Sequence, residues 1–149
     1  AVVAQIFLGG WVSTNYAVLA CPDFPGCNGS LAPAVAWGDG FTLMRAMGRN
    51  ADGSFLSIDA LRAIHWAHRI GALIATLIVI AAAVSLMRAN AELKRIALVI
   101  KLALLVQIVI GISTVLFDQP ILVATAHNFF AAVLLGAHVT AAYRLRRNR

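Results

Sequence analysis

The residues of this chain with the clearest chemical potential are histidines that lie inside apolar segments. The segment AIHWAHRIGALI (63–74) places His65, His68 and Arg69 at the head of a long apolar run, and His127 lies inside another such run. Ionisable side chains are costly in hydrocarbon and usually serve a function there. Because a neutral imidazole can coordinate a metal through a ring nitrogen, these histidines are candidate ligands.

Four apolar segments are long enough to form membrane-spanning helices, which need about 20 residues each. They cover residues 1–20, 63–87, 96–117 and 121–143, and none contains an internal proline. Charged residues make up 12% of the chain, about half the share of a typical soluble domain. The sequence therefore predicts an all-α fold, an integral membrane four-helix bundle in which a long outer loop (21–57) joins the first two helices.

The basic residues are concentrated in the loop after the second apolar segment and at the C-terminus. Seven of the 12 Lys and Arg residues lie there: Arg88, Lys94, Arg95, Arg144, Arg146, Arg147 and Arg149. An excess of Lys and Arg marks the cytoplasmic side of a membrane protein. The net charge of +6 is thus explained by topology in a lipid bilayer and indicates no nucleic-acid partner. We expect a multi-pass protein of the bacterial inner membrane, with the 21–57 loop in the periplasm and the C-terminus in the cytoplasm.

The only two cysteines, Cys21 and Cys27, lie in the outer loop within CPDFPGC. Pro and Gly between them favour a turn that can bring the two α-carbons within disulfide distance, and the periplasm permits the bond. A structural disulfide is the favoured interpretation, and a redox-active pair or a free or metal-bound pair are the alternatives. The five intervening residues fit neither a CxxC redox motif nor the usual zinc spacing.

Two features of the outer loop predict helix. GFTLMRAMG (40–48) has Phe41, Met44 and Met47 at helical spacing, which predicts a short amphipathic helix on the membrane surface or over the bundle. Ser57 precedes a segment with Asp59 in its first turn, which is typical of a helix N-terminus.

His68 and His127 are predicted to lie at similar depth in the membrane. The second and fourth segments both run inward from the outer side. His68 follows Arg62 by six residues and His127 follows Asp118 by nine, or about 9 and 13 Å at 1.5 Å per residue. Two facing imidazoles without a carboxylate nearby suit a haem better than bare zinc or iron. Arg69 and Arg62 are candidate partners for the haem propionates.

Other polar groups in the apolar segments have alternative roles. His65 precedes His68 by three residues and shares its helix face, so it is either a rival ligand or a hydrogen-bonding neighbour of the ligand. His138 has no histidine at its depth on another segment and is interpreted as a packing residue near the inner side. Gln107 lies in the middle of its segment and is expected to form a hydrogen bond between helices.

Four segments of the chain resemble haem A synthase in order and spacing. They are LGGWVSTNYAVLACPDFPGCNG, IHWAHRIGA, QIVIGISTV and ATAHNFFAAVLLG, and the resemblance covers essentially the whole chain. Members of that family are membrane oxidoreductases built from two similar four-helix halves. They oxidise a methyl group of haem O to the formyl group of haem A, which terminal oxidases use. The substrate half has a glutamate three residues before its His-Arg histidine, whereas this chain has His65 there.

The resemblance is therefore to the C-terminal half, and it implies specific roles. His68 and His127 would be the axial ligands of a b-type haem (iron protoporphyrin) cofactor, and Cys21 and Cys27 would form a disulfide. Without the glutamate, this chain is not expected to perform the oxidation by itself, and the catalytic residues are left unassigned. Because the sequence starts inside an apolar segment, we expect an N-terminal four-helix half, or a second copy, as the partner. The electron donor is unassigned.

Other classes of protein fit the same residues. A stand-alone membrane b-type cytochrome would bind the same haem and would need no second half. A quinone-linked thiol oxidase would use Cys21 and Cys27, but it also requires a second cysteine pair, which the sequence lacks. A purely structural subunit is the remaining alternative.

Overall fold

The computed structural model describes residues 1–147, and its regular elements in that range are all helical, which confirms the predicted all-α class. Arg149 of the basic C-terminus lies outside the described residues. The elements are α1 (Val2–Thr14), a 3₁₀ helix (Val18–Ala20), α2 (Trp37–Gly40), α3 (Ile58–Met87), α4 (Ala91–Leu116) and α5 (Ile121–Arg147).

Three of these helices are long and apolar enough to cross a membrane. Helices α3, α4 and α5 have 30, 26 and 27 residues, or about 45, 39 and 40 Å, and the hydrocarbon core of a bilayer is about 30 Å thick. Helix α1 has 13 residues and is about 20 Å long, so the predicted first span (1–20) is longer than the helix. The helix stops at Thr14 because Tyr16 adopts a left-handed backbone, with φ of 57°, which an α-helix excludes.

Side-chain caps set where two of the long helices begin. The Ser57 hydroxyl accepts a hydrogen bond from the Ala60 backbone N–H at 3.2 Å, which confirms the predicted start of α3. Asn90 caps α4 in the same way, because its Oδ1 accepts from the Leu93 N–H at 3.0 Å. Each cap satisfies an N–H group that has no partner inside its helix.

The order of packing around the bundle places α3 and α5 diagonally. Helix α3 packs against α1 on one side and α4 on the other, and α5 packs mainly against α4 and more lightly against α1. Helices α3 and α5, which carry His68 and His127, therefore face each other across the bundle.

The apolar core consists of two clusters at different depths. The inner cluster joins α3, α4 and α5 through Val79, Ala83, Leu86, Leu93, Ala97, Ile100, Ala103, Leu104, Leu134 and Ala141. The outer cluster joins α1, α3 and the outer loop through Val12, Ala17, Leu56, Ala60 and Ile64. His68 lies on α3 between Ile64 of the outer cluster and Val79 of the inner one. The packed apolar core is thus interrupted at the level of His68.

The predicted helix over residues 40–48 is wrong. Helix α2 ends at Gly40, and the segment that follows forms turns in which Met44 is 94% exposed. A continuing helix would use the Gly40 carbonyl as an internal acceptor. That carbonyl instead accepts from the Trp11 indole N–H at 2.9 Å and from the Arg45 guanidinium at 3.2 Å. Tertiary contacts with α1 therefore override the local helical pattern.

Asn15 connects the outer loop to the end of α1. Its side chain is 1% exposed. Its Oδ1 accepts from the Arg45 guanidinium at 2.8 Å and from the Gly48 N–H at 3.2 Å, and its Nδ2 donates to the Trp11 carbonyl at 2.9 Å. Asn15, which follows the last residue of α1, thus also fixes the loop above the bundle.

We predict that Asn15→Ala loosens the outer loop, because it removes the acceptor shared by Arg45 and Gly48. A buried donor left without a partner costs about 1–3 kcal/mol, so trypsin should cleave after Arg45 and Arg49 faster than in the unchanged protein. Thr14→Ala is the matched control, since the Thr14 hydroxyl bonds only to carbonyls of its own helix. Equal cleavage rates in the two variants would contradict the role assigned to Asn15.

Candidate functional site

His68 lies half-buried on α3 and is held by a glutamine of α1. The Gln5 amide nitrogen is 2.9 Å from His68 Nδ1 and 3.0 Å from the His68 carbonyl oxygen. An amide NH₂ group can only donate, so Nδ1 accepts this hydrogen bond. The neutral ring then carries its proton on Nε2.

His127 lies half-buried on α5 and has an equivalent partner on α4. The Gln107 amide nitrogen is 3.2 Å from His127 Nε2. His127 Nδ1 is buried without a hydrogen-bond partner. The contact confirms that Gln107 forms a hydrogen bond between helices, as the sequence predicted.

A glycine makes room for each imidazole ring. A Cβ added to Gly9 of α1 would lie 3.1 Å from His68 Cε1, and one added to Gly111 of α4 would lie 2.8 Å from His127 Cε1. Carbon atoms in ordinary contact are about 3.5–4.0 Å apart. Each ring therefore lies so close to a glycine that a side chain there would have to displace the ring.

These contacts repeat in two helix pairs, α1 with α3 and α4 with α5. The first helix of each pair contains a Gln-Ile-x-x-Gly motif, QIFLG (5–9) in α1 and QIVIG (107–111) in α4. In both helices the glutamine lies nine residues before the last helical residue. Gln5, Gly9 and Gly111 were not predicted from the sequence, although the repeated motif was a signal that could have identified them.

His65, the rival ligand, is directed to a different part of the molecule. It is 4% exposed, and its ring lies close to the carbonyl groups of Ala17 and Val18 in the segment that follows α1. Its Nδ1 is buried without a hydrogen-bond partner. His65 and His68 thus share α3 but contact different elements, His65 towards the outer loop and His68 towards Gln5.

Arg69, the neighbour of His68, binds the disulfide loop. The disulfide between Cys21 and Cys27 is present. The Arg69 guanidinium donates to the Cys21 carbonyl at 2.8 Å and to the Gly26 carbonyl. One arginine therefore connects α3 to both ends of the loop that the disulfide closes.

A carboxylate fixes the same loop from within. Asp23 accepts hydrogen bonds from the backbone N–H groups of Asn28 and Gly29, the latter at 2.8 Å. The Gly29 N–H is the main reason that the pKa of the Asp23 carboxyl lies below its usual value. The loop is therefore held by the disulfide, by Asp23 and by Arg69.

The two arginines expected to pair with propionates have other partners, yet each keeps a free donor. Arg62 forms an ion pair with Asp59 at 2.7 Å, and Arg69 binds loop carbonyls. The Nε atom of each arginine is buried without a hydrogen-bond partner. Both side chains therefore retain an N–H group that an anion could accept from, and their role towards propionates stays a prediction.

His138 lies near the inner side of the bundle. Its Nδ1 donates to the Leu134 carbonyl of its own helix at 2.8 Å. It lines an apolar cavity of about 240 Å³ together with Val2 and Ile78. These contacts suit the packing role that the sequence suggested.

The residues of the site fit a haem held by two histidines better than a metal ion held by protein ligands alone. Within residues 1–147, no group of three or more His, Cys, Asp or Glu side chains comes together. His68 and His127 instead occupy diagonal helices at a level where the apolar core is interrupted. Three buried polar atoms at this level have no hydrogen-bond partner. They are His127 Nδ1 and the Oε1 atoms of Gln5 and Gln107. A bound group could supply the contacts that these atoms lack.

Fold and site together define a helical membrane protein with a pair of inward-facing histidines and a disulfide-closed outer loop. Residues 1–139 match the family described as cytochrome oxidase assembly protein, and the chain belongs to that family. This match and the relatives below confirm the resemblance that the sequence motifs indicated.

Several curated relatives are named haem A synthase. The one from Shewanella oneidensis is 37% identical over 96% of this chain and 43% of its own length. Those from Rickettsia bellii and Caulobacter sp. strain K31 are 34% and 32% identical, each over 99% of this chain and 40% of their own length. The chain therefore spans about two fifths of the length of these relatives. No solved structure gives a significant match.

We predict that Arg69→Met exposes the disulfide to reductant. The variant loses charged hydrogen bonds to the loop, each worth about 1.5–3 kcal/mol, so a phosphine should reduce the disulfide about tenfold faster. Arg62→Met is the matched control, because Arg62 pairs with Asp59 of its own helix. If both variants were reduced at the rate of the unchanged protein, Arg69 would not hold the loop in solution.

Proposed function

We propose that this chain is the haem-binding part of a haem A synthase. It holds a b-type haem between His68 and His127 and passes electrons to a site, in another part of the whole protein, where a methyl group of haem O is oxidised to the formyl group of haem A. The main observation that supports this proposal is that the half-buried imidazoles of His68 and His127 lie on diagonal helices, where the apolar core is interrupted. Relatives named haem A synthase that cover nearly the whole chain support the same activity.

The donor set favours electron transfer over oxygen chemistry at this position. A haem iron held by two imidazoles supplies a one-electron redox couple without an open coordination position. His68 and His127 would bind the haem iron, and Arg62 and Arg69 would offer their free Nε–H groups to the propionates. The surrounding helices would exclude water. His65 stands where the family's substrate half has a glutamate. The oxidation of the methyl group is therefore assigned to the other part of the whole protein.

The proposed partner is an N-terminal four-helix half or a second copy of this chain, which would give an eight-helix protein. The chain covers about two fifths of the length of its relatives, which leaves room in such proteins for another unit of similar size. The electron donor is left unassigned.

The proposed location is the bacterial inner membrane, with the disulfide loop in the periplasm. Arg144 near the end of α5 pairs with Glu92 at the start of α4 at 2.9 Å, which places the C-terminal end of α5 beside the basic turn between α3 and α4. Basic residues of both segments therefore gather at one end of the bundle, the pattern expected of a cytoplasmic face.

The test is a reduced-minus-oxidised visible spectrum of the purified protein, with the extracted haem identified as its pyridine adduct. We expect a low-spin b-type spectrum that His68→Ala and His127→Ala each abolish, because each removes one axial ligand. His65→Leu and His138→Leu are the matched controls and should keep the low-spin spectrum.

The other outcomes separate the alternatives. Loss of the spectrum in His65→Leu with retention in His68→Ala would make His65 the ligand. Extracted haem O or haem A would mean that this part handles the substrate. A folded protein without any haem would overturn the proposal in favour of a thiol oxidase or a structural subunit.

A further inference from the structure

We propose that Gln5 and Gln107 are positioning residues for the two histidines. Each holds one imidazole on the neighbouring helix, against a glycine of its own helix, and accepts the ring N–H when the other ring nitrogen binds iron. This inference rests on the proposed haem-binding function and extends it to four residues, Gln5, Gly9, Gln107 and Gly111.

Each glutamine has one polar atom that contacts an imidazole and one that has no partner. The amide nitrogen of Gln5 is 2.9 Å from His68 Nδ1, and that of Gln107 is 3.2 Å from His127 Nε2. The amide oxygen of each glutamine is buried without a partner. A buried acceptor without a donor is costly. We therefore expect these two oxygens to accept a hydrogen bond in another state of the site.

A metal-bound imidazole needs an acceptor at its second ring nitrogen. When one ring nitrogen binds iron, the other carries a proton and becomes a donor, and an acceptor for that N–H fixes the orientation of the ring and raises its basicity. No carboxylate is among the contacts described for His68 and His127. The unused oxygen of each glutamine is an acceptor on the side chain that already contacts the ring.

The arrangement of glutamine, glycine and histidine occurs twice in the bundle. Gln5 and Gln107 each precede a glycine by four residues, or about one helical turn, and a Cβ added to that glycine would press on the same ring that the glutamine contacts. In both pairs the histidine lies on the following long helix. The pairs differ in the ring atom contacted, Nδ1 in His68 and Nε2 in His127, but both keep a ring nitrogen within reach of one amide group. Two independent copies of one arrangement indicate a shared requirement of the two histidines.

We predict that Gln5→Leu and Gln107→Leu weaken haem binding and raise the reduction potential. Loss of such a partner of a metal ligand typically costs 10–100-fold in affinity, and a less basic imidazole stabilises ferric iron less. Gln5→Glu and Gln107→Glu keep a carboxyl oxygen at the same reach, so they should restore most of the affinity and give a lower potential than the Leu variants. Haem titration and a redox titration of the lipid-reconstituted protein measure both quantities.

Ser113→Ala is the matched control for lost polarity, because the Ser113 hydroxyl bonds to the Val109 carbonyl of its own helix. Unchanged affinity and potential in both Leu variants would overturn the inference. A purely structural role would lower affinity without the ordered change in potential between the Leu and Glu variants, and that result would overturn it as well.

We also predict that Gly9→Ala and Gly111→Ala reduce haem affinity, because the added methyl group would displace the imidazole. Gly10→Ala and Gly136→Ala are the matched controls, since a Cβ at either position meets nothing within 4 Å. Alanine is favoured over glycine in helices by about 1 kcal/mol, so the controls should be at least as stable as the unchanged protein. Equal affinity in all four variants would contradict a fitted contact between glycine and ring.

A measurement without haem separates this inference from the proposed function. In the haem-free protein, ¹⁵N-histidine NMR should show a hydrogen-bonded ring nitrogen in His68 that Gln5→Leu abolishes and Ser113→Ala leaves in place. If the unchanged protein bound no haem, the proposed function would fail whatever this spectrum showed. If His68→Ala and His127→Ala lost haem while the glutamine variants behaved as the unchanged protein in every readout, only the positioning role would fail.

Discussion

An imidazole placed in a hydrocarbon environment needs a polar partner, and this requirement organises the centre of the bundle. Neither lipid nor aliphatic side chains can provide a hydrogen bond, and an unpaired polar group buried there costs about 4–8 kcal/mol. Gln5 and Gln107 provide that partner from the adjacent helices. The glycine one turn further along each helix follows from the same requirement, because the ring must approach the backbone for the amide to reach it.

Gln5, His68, Gln107 and His127 form a polar layer that interrupts the apolar core. The two apolar clusters on either side of this layer hold the helices together. The inner cluster fixes α3, α4 and α5 to one another, and the outer cluster fixes α1 and the loop to α3. Since both clusters pack without contributions from His68 or His127, the helices can stay in register while the layer between them accommodates a ligand. The packing that stabilises the bundle is thereby separate from the level at which the two histidines lie.

The sequence predicted those parts of the molecule that depend on local pattern and missed those that depend on distant contacts. The lengths of the apolar runs placed α3, α4 and α5, and the capping pattern at Ser57 placed the start of α3. The helix predicted over 40–48 failed because Trp11 and Arg45 occupy the Gly40 carbonyl. Gln5 was missed because its partner, His68, is 63 residues away, a separation that no helical period reveals.

Each of the two histidines has its own glutamine and glycine on the neighbouring helix, but the residues that follow the histidines in the sequence differ. His68 is followed by Arg69, which binds both ends of the disulfide loop, whereas His127 is followed by Asn128, an uncharged residue. A change in the loop can therefore reach His68 through a single peptide unit, whereas no hydrogen bond joins Asn128 to the loop within residues 1–147. The contacts of the two histidines are nearly symmetric within the bundle, but of the two only His68 stands next to an arginine that binds the disulfide loop.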